Sequence, residues 1–410
     1  MNRRVKYVIV AISSCLAVLL LVGTVLGGST PPEDAYKHLG VYAEVLSRIK
    51  SDYVEEPDLN SVTLGAVNGL LESVDPFASF LNAEQYKNYL KMRDARKGGV
   101  GLVLSKRFGY VGVVDAIKGS PADKAGLTTG DMLETIRDVS TRDMPLAYAE
   151  MLLHGEPGTS VELTVLRLRR SAEAQKVSLT RVPLAYPRVT ARMLPDQTGY
   201  IEVPSVEDGK AKEIAAAIAG LQKQGAKKLV LDFRRAADGS PREGLAVADL
   251  FLDKGLMSYL QGQKSPRQNF EAQPANTVYR DPLVVITNRG TANGAEIAAA
   301  ALVENKRAEV VGERTYGDAA ARKAITMEDG SAVIISVAKY FSPSGKAIQD
   351  TGVTPSVPVA QAEPLPDTVE DSDTAPAPPA EPKDSGDDAL LKKALEVLAK
   401  GVPAPSAANR

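Results

Sequence analysis

Leu283-Val284-Val285-Ile286-Thr287-Asn288-Arg289-Gly290-Thr291-Ala292-Asn293-Gly294-Ala295-Glu296-Ile297 is the stretch whose reading decides the fold. Leu283 to Thr287 is an apolar run of buried-strand type, and Gly294 to Glu304 reads as a helix. Asn293 stands where that helix starts, a position at which asparagine is a strong cap. Glu296, three residues later, completes a capping-box pattern. Lys228 to Phe233 is a second apolar strand and Lys210 to Gln224 a second helix. Strands alternating with helices from about Tyr186 onward imply a parallel-rich sheet with helices packed on it.

Upstream the pattern changes. Val100 to Leu104, Tyr110 to Ile117, Met132 to Arg137, Ser160 to Arg167 and Gln175 to Thr180 are short β-rich runs. Two short helices fall among them, at Pro121 to Ala125 and Pro145 to Leu153. Earlier still, Tyr36 to Lys50 has helical apolar spacing, followed by helices at Leu64 to Leu71 and Ala83 to Met92 with a break at Asp75-Pro76. Downstream, the stretch 361–386 is rich in proline and acidic residues and reads as a linker. Asp388 to Lys400 then forms a short amphipathic helix, suited to docking on the body or on a second copy.

The 410 residues carry 49 basic and 51 acidic side chains, a balance that offers nucleic acid no global attraction. The lone cysteine, Cys15, lies in an N-terminal apolar run, which excludes disulfides, a cysteine nucleophile in the body and thiolate zinc sites. No metal or cofactor is expected. The histidines are His38 and His154 alone, a thin basis for a serine–histidine triad. Tyr7 to Leu26 is free of charge and has the roughly 20-residue length of a bilayer span. Arg3, Arg4 and Lys6 precede it. This predicts a single-pass anchor in a bacterial inner membrane with the body in the periplasm. The alternative is a cleaved signal peptide and release to the periplasm.

Gly119-Ser120-Pro121-Ala122-Asp123-Lys124-Ala125-Gly126-Leu127-Thr128-Thr129-Gly130-Asp131 resembles the GSPAxxAGLxxGD signature of PDZ domains. The Gly99-Val100-Gly101-Leu102 turn ahead of it can gather backbone N–H groups around a peptide's terminal carboxylate. Leu102, Leu104, Ala149 and Leu152 are the expected groove lining. Further motifs are Tyr200-Ile201-Glu202-Val203, Leu229-Val230-Leu231-Asp232-Phe233-Arg234, Val247-Ala248-Asp249-Leu250-Phe251-Leu252 and the run Tyr340 to Gln349. By these the wider chain, from about Leu39 to Val359, resembles the carboxyl-terminal processing (tail-specific) protease family. The resemblance implies a multidomain α/β protein. The expected parts are an anchor at 1–28, a helical unit at 33–93, a PDZ domain at 96–182, a protease-like core at 185–359, the linker at 361–386 and a helix at 387–401.

The resemblance also locates a catalytic apparatus. Active members use a serine nucleophile and a lysine base. The serine position falls on Asn293 and the lysine position on Asp318. The glutamine that orients the lysine falls on Arg322, and a glycine of the oxyanion loop falls on Asp238. The expectation is a pseudoprotease that binds unfolded or apolar C-terminal tails without cutting them. An active paralogous protease and a second copy of the chain are further expected partners. Two alternatives differ in class: an active peptidase with displaced chemistry, using Thr291 with Asp318 or an Asp238–Asp318 carboxylate pair, and a structural oligomerisation scaffold.

Overall fold

The structure is a computed structural model that describes residues 33–95, 98–107, 109–167, 173–359 and 388–401. It divides into two compact units, 1–66 and 67–410. In the first, the helix Glu33–Asp52 is followed by the start of the helix Leu59–Val74, and the Tyr42 hydroxyl donates to the Ala66 carbonyl at 3.2 Å. The expected inner-membrane placement is corrected here. Among the described residues no helix is long and apolar enough to cross a membrane, and Tyr7 to Leu26 lies outside them.

Among the described residues, the second unit is built on three sheets. The core sheet has six strands, in the order Val357–Pro358, Glu309–Gly312, Leu283–Thr287, Lys228–Asp232, Thr198–Glu202 and Thr190–Leu194. All neighbours are parallel except the last pair, so the sheet is parallel-rich with one antiparallel edge. Each residue of Leu283–Thr287 is buried, as a strand covered on both faces requires. One face carries the helices Lys210–Lys223, Pro241–Asp249 and Gly294–Glu304, which enclose Ile214, Ile218, Phe233, Val285 and Ile297. The other face is covered by the terminal helix Ala389–Lys400. Leu390, Ala394 and Leu398, spaced on one stripe, pack on Tyr200, Val230, Val284, Ile286 and Val311. Asp388 caps that helix by accepting from Leu391 N–H at 3.0 Å and receives two 2.8 Å hydrogen bonds from Arg234. The amphipathic tail therefore docks on its own body.

An antiparallel sheet of Ser79–Leu81, Ala332–Phe341, Leu256–Gln261, Gln268–Glu271 and Ala320–Thr326 flanks the core. The sequence pattern does not resolve it. Its strands are short or half-exposed, so their apolar pattern is diluted. The third sheet is that of the PDZ domain, Leu102–Arg107, Tyr110–Ala116, Met132–Ile136, Ser160–Leu166 and Ala174–Thr180, all antiparallel. Ser120 caps the short helix Pro121–Lys124 by accepting from Asp123 N–H, with Pro121 at its first turn. The helix Leu146–Leu153 lies against the strand Leu102–Arg107.

Arg235 fastens the PDZ domain to the core. Its guanidinium donates to Asp115 at 3.1 Å and to Asp123 at 2.8 Å. Val114, Ala237 and Ala292 form a small apolar cluster at the same junction.

The helix Gly294–Glu304 crosses Pro241–Asp249 at backbone distance. A Cβ on Gly244 would lie 2.1 Å from the Gly294 carbonyl oxygen, with no flexible side chain to yield. Gly244→Ala is expected to destabilise the fold by about 1–3 kcal/mol, the usual cost of overpacking. Urea unfolding would read this as a lower midpoint at unchanged slope.

Candidate functional site

Loops following the core strands Leu283–Thr287 and Glu309–Gly312 converge on the carboxylate of Glu296, which is fully buried, and the loop following Lys228–Asp232 adjoins them. Its Oε1 accepts from the Thr315 hydroxyl and from Gly317 N–H at 2.6 Å. Its Oε2 accepts from Asp318 N–H at 2.8 Å and from Asn293 N–H at 3.0 Å. Burial pushes the Glu296 pKa up to about 8, against the opposing hydrogen bonds from Thr315, Asp318 and Gly317. The same loops are tied by Ala292 N–H to Ala236 O at 3.1 Å and Tyr316 N–H to Thr291 O at 2.9 Å.

Asn293 sits at the turn between strand and helix with φ 54° and ψ −123°. Asn293 is the N-cap and forms the expected capping box with Glu296, but an ordinary cap residue is extended and this backbone is not. Positive φ at a non-glycine residue costs on the order of 1–3 kcal/mol, and the ψ of −123° lies outside the left-handed helical region that asparagine tolerates. A strained residue between an entering strand and a leaving helix is how hydrolase folds present a nucleophile. Here the side chain presented is an amide.

The position expected for a lysine base carries Asp318, which is ion-paired to Arg322. The Arg322 guanidinium lies 4.4 Å from the centre of the Phe77 ring. Asp238 accepts from the Tyr186 hydroxyl at 2.7 Å and from its neighbour Gly239 N–H at 2.9 Å. An oxyanion site needs donors aimed outward. At this loop a carboxylate takes the Gly239 donor instead. Asn293, Asp318, Arg322 and Asp238 all line one cavity of about 480 Å³, and no lysine is among its lining residues. Thr291 is not part of it. That residue is fully buried, and its hydroxyl donates to Phe233 O at 2.8 Å and accepts from Asn288 N–H at 3.0 Å.

This cavity continues into the PDZ groove. Leu102 and Leu104 line it on the strand side. Ala149 is fully buried in the PDZ core and Leu152 packs against that core, so neither faces the opening. Leu146, Ala147, Glu150 and His154 do. The sequence assignment is out of phase on this helix, because both faces are apolar and only Glu150 marks the open side. Gly101, at φ 80°, leaves no room for a Cβ, which would meet Ser120 at 2.3 Å. Gly99 N–H pairs with Val182 O at 2.9 Å, so of the expected anion loop Gly99-Val100-Gly101 this amide is occupied.

Residues 197–359 match the sequence model of Peptidase family S41, and residues 112–167 match a PDZ domain. A carboxy-terminal-processing protease of Bartonella bacilliformis is 30% identical over 343 residues, covering 82% of this chain and 77% of that one. The chain belongs to the carboxyl-terminal processing protease family. CtpA of Bacillus subtilis is 32% identical over 313 residues, 76% of this chain and 66% of that protein. Among solved structures, the photosystem II D1 C-terminal processing protease superposes with a TM-score of 0.65 at 28% identity, over 75% of this chain and 84% of that one.

Glu296→Gln turns an amide NH₂ toward backbone donors. It is expected to cost about 2–4 kcal/mol and to speed amide exchange at Gly317 and Asp318, read by hydrogen exchange. Burial, with Asp238 and Asp318 adding repulsion, pushes the Glu150 pKa up to about 7, against the attraction of Arg322 and Arg93. A raised acid pKa means the fold takes up a proton. Its contribution is therefore complete below pH 4.5 and lost as pH rises through 7. Glu150→Gln should accordingly shrink the fall in unfolding free energy between pH 5 and pH 8 by on the order of 1–3 kcal/mol.

Proposed function

We propose that this family member binds protein C-terminal tails in its PDZ groove and does not cleave them. The observation that carries this reading is the side chain at the strained turn. Asn293 has no hydroxyl or thiol to attack a peptide carbonyl, and its neighbour across the cavity is an Asp318–Arg322 ion pair rather than a neutral amine. A lysine base works when burial keeps it unprotonated. The Asp318 carboxylate is bound to Arg322 instead. Asp238 adds a carboxylate to the cavity that Asn293 lines, which disfavours a developing oxyanion there. Peptide capture asks for less. It needs a strand edge and side-chain pockets; Leu102–Arg107 is an edge strand of its sheet, and Leu102, Leu104, Leu146 and Ala147 line the cavity beside it.

Thr291 does not favour the displaced-chemistry alternative, since its hydroxyl is engaged inside the core. The Asp238–Asp318 pair does not favour it either, since each carboxylate already has its own partner, Tyr186 or Arg322.

The test is a titration of the chain against a fluorescent peptide with an apolar C-terminus, alongside overnight incubation with β-casein. The expected result is saturable peptide binding, weakened more than tenfold by Leu102→Asp, with intact casein throughout. Casein fragments produced by the parent chain and lost in Asp318→Ala would overturn the reading.

A further inference from the structure

Glu150 is the one charged residue of the helix Leu146–Leu153, and it faces the cavity rather than solvent or core. Its cationic neighbours attract it through space without a hydrogen bond. Arg322 is held by Asp318 and stacked over Phe77, and Asp238 is engaged by Tyr186. Arg93 lies over the Tyr89 ring, 5.8 Å from its centre. Among the described residues none donates a hydrogen bond to the Glu150 carboxylate; Arg93 and Arg322 act on it only through space. The wall therefore has three carboxylates, Glu150, Asp238 and Asp318, facing two guanidinium groups. A desolvated carboxylate without a hydrogen-bond donor, on a wall with more acids than guanidinium groups, is stabilised by a further cation.

The spacing along the helix says where that cation belongs. His154, one turn after Glu150, stands against Gly99, since a Cβ there would meet its ring at 3.4 Å. Four helical residues span about 6 Å, close to two residues of an extended peptide at about 3.3 Å each. Alternate residues of a strand point the same way. With the tail's carboxylate at the Leu102 end of the cavity, where His154 stands and the Gly99 amide is already taken by Val182, its last residue and its third from last face the helix, the latter at Glu150.

We propose that Glu150 selects tails carrying lysine or arginine at the third residue from the C-terminus. The inference rests on the tail-binding reading above and names the class of tail. The incoming ammonium or guanidinium supplies the missing donors and balances the excess negative wall. Because Glu150 titrates near neutrality beside Arg93, Arg322, Asp238, Asp318, Tyr89 and His154, the preference should strengthen as it ionises.

The experiment uses the full chain and labelled decapeptides of one apolar sequence, with lysine, norleucine or glutamate placed in turn at each of the last five positions. The expected result at pH 8 is about tenfold tighter binding of the lysine peptide than of the norleucine peptide, at the third position from the end. That ratio should fall toward one at pH 5.5 and in Glu150→Gln, and Glu150→Lys should prefer the glutamate peptide. Equal binding of lysine and norleucine peptides at every position, or a lysine preference that survives Glu150→Gln, overturns the inference and leaves tail binding intact. Absence of saturable binding by every peptide overturns tail binding, and the inference with it.

Discussion

Four donors converge on the carboxylate of Glu296, and the geometry of the site follows from that convergence. Asn293 is held in its positive-φ conformation at one end, and the amides of Gly317 and Asp318 are held at the other. A buried acceptor of this kind is expensive to leave half-satisfied, so the loops close on it together or not at all. The consequence is a turn that keeps the shape of a nucleophile elbow while carrying an amide. Strain at Asn293 persists because the surrounding contacts over-determine it. The frame and the chemistry are therefore separable. Glu296 and the Gly244–Gly294 contact maintain the first, and nothing in them requires a serine.

The second constraint is the junction between the PDZ domain and the core. Arg235 stands in the loop following a core strand and reaches two acids of the PDZ domain. The apolar cluster of Val114, Ala237 and Ala292 fills the space beneath. This closeness is why Leu102 and Leu104 of the PDZ domain share one cavity with Asn293 and Asp318 of the core. An ion pair with Asp115 buried and Arg235 partly exposed contributes position more than stability.

Much of the architecture was legible because it rests on local patterns. Leu283 to Thr287 is apolar without interruption, which only a doubly covered strand permits, and the parallel sheet followed from such runs alternating with helices. Ser120 and Pro121 marked a helix start to the residue. The rest depended on tertiary context. The flanking antiparallel sheet joins strands as distant as Ser79–Leu81 and Ala332–Phe341, a pairing no local window contains. The phase of Leu146–Leu153 was lost because apolar residues surround the helix, and Glu150 was the one available sign of its open face. The positive-φ backbone of Asn293 is imposed by the loops around it, while its sequence neighbourhood reads as an ordinary cap.

The central claim is that a competent frame has lost its chemistry, and restoring that chemistry tests it most directly. The measurement is casein turnover by a chain carrying Asn293→Ser, Asp318→Lys, Arg322→Gln and Asp238→Gly together, compared with the parent. The account predicts an inert parent and a restored chain that cleaves, with turnover rising above neutral pH as the introduced lysine loses its proton. A folded four-substitution chain without turnover, or a parent that cleaves on its own, would contradict it.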